Sequence, residues 1–294
     1  MGRIRIGVSG WDYDSWRGSF YPEDLPRREQ LHYAGERFDL LEINATFYRL
    51  ATPARCIAWR DAVPAGTVLA VKGSRFITHN KKLGDTGAAL ANFLASGILA
   101  LDDKLGPILW QLPERLHLDT ERVDAFLAAL PHDTDTAAEV ARDHDERVDD
   151  AAYGRGGNHR LRHVLEVRHP SFLSEDMVAI ARRHGVALAA SHAAAWPYTE
   201  EVTAGFVYLR LHGPDEPYAS AYRDQQLRSF AQRLHLWRAA DQPDDARTIT
   251  DRAPPRRRGR DVYVAFNNDK DGHAPRNASR LRALTDEVGS GAAP

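Results

Sequence analysis

A short apolar segment in the middle of the chain ends with a carboxylate and a guanidinium. Residues 163–167 favour a buried strand, which Pro170 ends. Glu166 and Arg168 stand two positions apart, so their side chains point to the same face of that strand. Burying both charges is costly unless they have partners or a function. Two interpretations are open: a structural ion pair, or part of a binding site.

Similar pairs of polar residues stand near the ends of other apolar segments. Asn44 follows Glu42 by two positions, and His212 follows Arg210 by two. The segments are almost continuously apolar, which is typical of parallel strands covered on both faces. The eight candidate strands are 4–10, 38–43, 67–72, 107–111, 163–167, 186–190, 206–210 and 261–266.

Helical patterns separate these strands. The predicted helices are 53–61, 86–97, 120–130, 174–184, 222–239 and 275–284. Strands and helices that alternate along 294 residues predict a single α/β domain, a TIM-type (β/α) barrel over residues 1–290. A doubly wound open sheet is the alternative, but its phosphate-binding turn, G-x-G-x-x-G, is absent from the sequence.

Two polar stretches interrupt the alternation. Residues 133–162 are rich in charge, alanine and glycine, and we interpret them as an inserted arm before strand five, made of a helix and a mobile loop. Residues 241–260 predict a flexible connector. The connector contains three consecutive arginines at 256–258, which fit a solvated linker better than a nucleic-acid contact.

In a β/α barrel the active site lies at the carboxyl ends of the strands. Three cations, Lys72, Arg168 and Arg210, are expected to converge there, which predicts an anionic ligand that carries phosphate or carboxylate. The candidate catalytic residues are Glu42, Glu166 and His212, with Glu42 or Glu166 as the base and His212 as the acid. The candidate ligand-binding residues are Asn44, Tyr48, Lys72, His79, Gln111, Arg168, Arg210 and Asn267.

A bound divalent metal is left open by the sequence. Glu42 or Glu166 could ligate a metal, but no H-x-x-x-H or H-E-x-x-H spacing supports such a site. Cys56 is the only cysteine, which excludes an intrachain disulfide and a multi-cysteine metal site. Trp11 and Tyr13, on the first predicted loop, could stack against a base or sugar, or could close the barrel as apolar plugs.

The overall charge is almost balanced, with 39 basic and 41 acidic residues. This balance argues against attachment to nucleic acid or membrane through bulk charge, although a local basic site remains compatible with it. The sequence has no apolar signal region and no apolar stretch of membrane-spanning length. We therefore expect a cytoplasmic protein without a membrane partner.

Taken together, the motifs resemble those of the YecE-like family, known as domain of unknown function 72. The resemblance extends from residue 4 to about residue 284, and it implies a TIM-type barrel distantly similar to the endonuclease-IV and sugar-isomerase barrels. It implies no established activity. The sequence departs from the family at Ser191 or His192, where relatives often carry an acidic residue, and at Ala195 and Phe172. The matching motifs are Gly7-Val8-Ser9-Gly10-Trp11, Phe20-Tyr21-Pro22, Glu42-Ile43-Asn44 with Phe47-Tyr48, Lys72 with Thr78-His79, Gln111-Leu112-Pro113, Glu166-Val167-Arg168-His169, Arg210-Leu211-His212-Gly213 and Asn267-Asn268-Asp269.

Three functional hypotheses follow from the polar strand ends. The first is an enzyme that acts on a phosphate-bearing ligand, either a phosphodiesterase or nuclease-like hydrolase or a sugar-phosphate isomerase. The second is a non-catalytic protein that binds a nucleotide or a nucleic-acid end through the same residues. The third is a polar network that only stabilises the barrel.

Overall fold

The computed structural model describes residues 2–154 and 157–290. Within these ranges nine parallel strands form one sheet, in the order β6-β5-β4-β3-β2-β1-β9-β8-β7. The strands are β1 Ile4–Ser9, β2 Leu40–Ile43, β3 Val68–Lys72, β4 Leu105–Gln111, β5 His163–Glu166, β6 Ala187–Leu188, β7 Ala190–Ala193, β8 Phe206–Gly213 and β9 Asp261–Phe266.

The two edge strands of the sheet, β6 and β7, are separated in sequence only by Ala189. Its amide still donates to the carbonyl of Leu165 on β5 (3.0 Å), whereas β7 pairs with β8. The chain thus passes from one sheet edge to the other, and the sheet is nearly closed into a barrel of the TIM type. The predicted fold is confirmed, and the predicted strand 186–190 is divided into two short strands that pair with different neighbours.

The barrel interior is apolar in its lower part and polar in its upper part, where the upper part is the end at which the strands have their carboxyl ends. A cluster inside the barrel contains Leu40, Val164 and Tyr208, each two residues before an inward-facing charged residue. Side chains two apart in a strand share a face, so each strand continues from this apolar floor into a polar layer at its carboxyl end. A second, larger apolar core lies between the outer face of the sheet and the helices.

Helices surround the sheet, and the predicted ones are present with small changes at their ends. Three of them have N-cap side chains that accept a backbone amide of the first turn, and these N-caps are Thr52, Asp119 and Ser174. None of the helices described in residues 2–154 and 157–290 is long and apolar enough to cross a membrane. The helices of this part of the chain are α1 Gln30–Gly35, α2 Ala45–Tyr48, α3 Pro53–Ala62, α4 Gly87–Ala95, α5 Thr120–Ala128, α6 Thr134–Ala141, α7 Glu175–Arg183, α8 Asp224–Arg238 and α9 His273–Gly289.

The arm before β5 contains the expected helix, α6. The two ends of the arm are joined by backbone hydrogen bonds. Thr134 donates its amide to the His159 carbonyl (2.9 Å), and Leu161 donates its amide to the His132 carbonyl (2.8 Å). The glycine-rich part of the predicted mobile loop includes residues 155–156, which lie outside the described ranges.

The predicted connector, residues 241–260, has neither helix nor strand. Its backbone is nevertheless attached to the barrel: Glu200 accepts the amide of Arg247 (3.0 Å), and Glu201 accepts the amides of Ile249 (2.8 Å) and Thr250 (3.1 Å). The flexibility of this segment stays a prediction. Its three consecutive arginines, 256–258, are exposed.

Candidate functional site

Arg210 occupies the centre of the polar layer, on β8, and is fully buried. Its Nη2 donates to Glu42 Oε1 (2.6 Å) and its Nε to Glu42 Oε2 (3.1 Å), across the barrel from β2. Its Nη1 donates to Glu166 Oε2 on β5 (2.5 Å). One guanidinium therefore joins two carboxylates from opposite sides of the barrel, and none of the three side chains reaches solvent.

The oxygens of Glu42 are saturated with hydrogen bonds. Besides Arg210, Ser9 Oγ donates to Oε1 (2.5 Å) and the Tyr208 hydroxyl donates to Oε2 (2.8 Å). Burial alone would raise the pKa of Glu42, but the charges of Arg210 and Lys72 outweigh it and lower that pKa. The pKa of Glu166 likewise lies well below its usual range despite burial, because Arg210 and Arg168 stabilise its charge. Both carboxylates are ionised at neutral pH and occupied with their partners.

His212 lies beside this triad and is neutral at neutral pH. Burial lowers its pKa to about 4, although Glu166 opposes the shift. Its Nδ1 accepts a hydrogen bond from the Asn267 amide (3.1 Å) in the orientation that leaves the proton on Nε2. The edges of the Trp196 and Tyr218 rings cover it, with centroids 5.0 and 5.7 Å from the imidazole. The predicted acid is thus shielded from solvent.

Arg168 forms a second layer above the triad. Its Nε donates to Glu166 Oε1 (2.9 Å), its Nη2 donates to the Tyr218 hydroxyl (3.1 Å), and its guanidinium lies 3.7 Å from the centroid of the Trp196 ring. The Trp196 indole is itself fixed by a hydrogen bond to Glu114 Oε1 (2.7 Å). The guanidinium is therefore held in a fixed place between the buried triad and the barrel mouth.

Lys72 differs from the two arginines because no carboxylate among the described residues forms a salt bridge with it. The ammonium lies 4.2 Å above the Phe47 ring and forms no hydrogen bond or salt bridge with any residue in the described ranges. Its side chain is 9% exposed. Burial and the charge of Arg210 lower the pKa of Lys72 to about 8, while Glu42 and Glu166 oppose the shift. The layer thus contains one buried ammonium without a counter-ion.

Asp269 is a further candidate site residue, which the sequence analysis did not include among the candidate catalytic or ligand-binding residues. It follows β9, and burial raises the pKa of its carboxyl to about 7, although the neighbouring Tyr13 hydroxyl and the charge of Arg210 oppose the shift. Its Oδ1 is buried and has no hydrogen-bond partner in the described chain. A signal was present: Asp269 stands two positions beyond Asn267, the same spacing that pairs the other strand-end residues.

A cavity of about 380 Å³ opens beside this layer, above the ends of β1 and β2. Its size is within the range of small-molecule sites. Asn44 contributes an amide whose Nδ2 donates to Ser9 Oγ (3.0 Å) and whose Oδ1 is buried without a partner among the described residues. Tyr48 is 69% exposed at its edge. Trp11 and Tyr13 form another wall, as the stacking hypothesis requires.

Most of the predicted site residues lie in this region. Glu42, Glu166, Arg168, Arg210, His212 and Asn267 are joined by the hydrogen bonds and the ion pairs given above. Gln111 is the strand partner of Glu166, and its Nε2 donates only to the neighbouring Leu112 carbonyl (3.3 Å). The His79 ring packs against Phe47, at a centroid distance of 5.1 Å, and burial together with Lys72 lowers the pKa of His79 to about 4. Within the described ranges, no three His, Cys, Asp or Glu side chains are grouped as metal ligands would be.

The chain matches the family described as protein of unknown function DUF72 over residues 5–293. The chain belongs to the DUF72 family. Two solved DUF72 family structures share its fold. One from Thermotoga maritima has 21% identity and a TM-score of 0.71, covering 97% of this chain and 100% of the other. One from Enterococcus faecalis has 17% identity and a TM-score of 0.65, with 97% and 98% covered. No curated protein matches the chain significantly. At these identities the DUF72 structures support the barrel fold alone.

Proposed function

We propose that this DUF72 barrel is an enzyme that binds a small phosphate-bearing substrate in the barrel mouth, with Lys72 and Arg168 as the groups that hold the anion. The observation that carries the proposal is the buried Lys72 ammonium without a counter-ion. An unpaired buried charge is costly, and an anionic ligand would neutralise it. Arg168, held over Trp196, is a second cation near enough for its charge to act on Lys72.

Glu42, Glu166 and Arg210 have a positioning role in this proposal. Their side chains are fully buried and bonded to one another, so neither carboxylate can reach a ligand without breaking the triad. His212 is buried and neutral beside them and supports the same network. The triad thereby fixes the place of Arg168 through Glu166 Oε1.

Proton transfer is assigned to Asp269. A carboxyl with a pKa of about 7 exchanges its proton readily at neutral pH, which is what a general acid or base requires. Its buried Oδ1 has no hydrogen-bond partner among the described residues, so a ligand atom that reaches it would satisfy it. Both a hydrolase and an isomerase acting on a sugar phosphate need one such group.

A non-catalytic nucleotide-binding protein is the second candidate. It is favoured by the aromatic walls of the mouth cavity, Trp11, Tyr13 and Tyr48, against which a base could stack. The Asp269→Asn variant distinguishes the two candidates. An enzyme should lose turnover in this variant and keep ligand binding, whereas a binding protein should show no turnover in either form.

The anion site is tested by calorimetric titration of glycerol 3-phosphate at low ionic strength. Removing one charge-assisted contact costs about 1.5–3 kcal/mol, so Lys72→Met should weaken binding roughly 10- to 100-fold. Lys82→Met is the matched control, because Lys82 is exposed in the loop after the same strand and should leave the affinity unchanged. Equal affinity of Lys72→Met and the unchanged protein would refute the proposal.

A further inference from the structure

Lys72 has the surroundings of an amine that can act as a nucleophile. Its side chain is almost fully buried, its Nζ lies 4.2 Å from the centroid of the Phe47 ring, and no carboxylate of the described chain forms a salt bridge with it. Two cations, Arg210 and Arg168, disfavour its protonated form. Desolvation and neighbouring positive charge are the two means by which proteins turn a lysine into a nucleophile.

The other four lysines of the chain lack this combination. Lys81 forms a salt bridge with Asp85 (2.9 Å). Lys104 donates to the carbonyls of Arg60 (2.6 Å) and Val63 (2.5 Å). Lys82 and Lys270 are exposed. Only Lys72 is both buried and unpaired, so the amine chemistry expected at this site should be specific to one position.

The protonation state of Lys72 agrees with this role. With a pKa of about 8, roughly a tenth of the amine is neutral at pH 7, compared with fewer than about one in a thousand for an ordinary lysine. The charged and titratable groups that interact with it are Glu42, Glu166, Arg168, Arg210, His79 and Asp269. The neutral amine is therefore accessible near neutral pH without any rearrangement of the triad.

We propose that Lys72 forms a covalent imine with an aldehyde or ketone group of a phosphate-bearing substrate. This inference rests on the proposed function and narrows its substrate class to carbonyl compounds. In the reacting complex Arg168 holds the phosphate, while the neutral fraction of the Lys72 amine attacks the carbonyl group. The Nζ lone pair attacks the carbonyl carbon, the C=O π electrons move to oxygen, and a proton passes from nitrogen to oxygen to give a carbinolamine. A second proton on that oxygen lets it leave as water while the C=N bond forms, which yields the iminium ion.

The surrounding charges suit this product. The iminium carries the same single positive charge as the protonated lysine, so Glu42 and Glu166 stabilise it as they stabilise the resting ammonium. Asp269, whose charge is also sensed by Lys72, can supply the proton that lets water leave, because its carboxyl is partly protonated at neutral pH. No oxidant or reductant is needed.

The test is reductive trapping in the full-length protein. Dihydroxyacetone phosphate is added with sodium cyanoborohydride at pH 7, and the modified lysine is located by peptide mass spectrometry. We expect the adduct at Lys72 at least tenfold above that at any of the other four lysines, and its absence from Lys72→Arg. Lys82→Arg should be trapped like the unchanged protein. Labelling spread evenly over the lysines, or directed mainly to the exposed ones, would overturn the inference.

Glycerol 3-phosphate separates this test from that of the anion site, since it carries the same phosphate but no carbonyl group. It should compete with trapping and should itself never be trapped. Binding of glycerol 3-phosphate without trapping of dihydroxyacetone phosphate would overturn imine formation and leave the anion site standing. If glycerol 3-phosphate does not bind and dihydroxyacetone phosphate is not trapped, the proposed function is overturned as well.

Discussion

Replacing Arg210 with methionine should strongly destabilise the barrel. Methionine fills much of the same volume but removes the cation between Glu42 and Glu166, so two fully buried carboxylates lose their main partner. Removing one partner of a buried ion pair typically costs about 3–5 kcal/mol, since it leaves an uncompensated charge. Lys72 and Arg168 remain nearby and limit the loss, so we expect about 4 kcal/mol at pH 7.5.

Urea unfolding followed by the fluorescence of the six tryptophans measures this loss. Arg280→Met is the matched control, because Arg280 forms a salt bridge of 2.5 Å with Asp224 at the surface. An exposed pair of this kind contributes about 0–1 kcal/mol. The combined variant Glu42→Gln, Glu166→Gln and Arg210→Met should regain part of the loss, because it buries no unpaired charge.

The destabilisation should also depend on pH in a defined direction. In the native protein the pKa values of Glu42 and Glu166 are lowered, so their stabilising contribution is present above the unfolded carboxyl pKa and is lost as the pH falls through the folded values. In Arg210→Met burial would raise those pKa values, so the variant becomes less stable as the pH rises. The difference between the two proteins should therefore be larger at pH 7.5 than at pH 5. A loss below about 1 kcal/mol, or one equal at both pH values, would refute this account of the triad.

Three further predictions concern single positions around the polar layer. Tyr208→Phe removes a hydrogen bond to the Glu42 carboxylate (2.8 Å) and should lower the free energy of unfolding by about 1.5–3 kcal/mol in urea titrations. Gly73→Ala would place a Cβ 2.3 Å from Cε3 of Trp110, and thermal unfolding should show a loss of about 1–3 kcal/mol. Cys56 is buried and its pKa is raised to about 12, so a thiol reagent should modify it only after unfolding; rapid labelling of the native protein would contradict this.

The barrel and the position of its polar layer could be predicted from local sequence patterns. The apolar segments with polar residues two apart at their ends determine both the parallel strands and the inward direction of Glu42, Glu166 and Arg210. The pairing among these three could not be predicted, because Glu42 and Arg210 are 168 positions apart and meet only across the closed barrel. In the sequence, the three cations indicate an anionic ligand. In the structure, one of them, Arg210, is already neutralised by two carboxylates.

Other site residues gave weaker signals in the sequence. Trp196 comes from an irregular segment after β7, and its position over Arg168 depends on how that segment folds back on the mouth. Tyr208 occurs in an apolar run, where an inward-facing hydroxyl that donates to Glu42 has no distinct pattern. The unpaired state of Lys72 is a property of the assembled layer, since it depends on which carboxylates Arg210 and Arg168 have already engaged.

The most direct test of the anion site is the titration of Lys72 itself. The chain has five lysines, so protein labelled with ¹³C-lysine should give separable NMR signals, assigned through Lys72→Arg. Without ligand, the Lys72 signal should titrate with a midpoint near pH 8, and saturation with glycerol 3-phosphate should move the midpoint to higher pH, because a bound anion stabilises the ammonium. A midpoint at the ordinary lysine pKa of about 10.4, unchanged by the ligand, would contradict the anion site at Lys72.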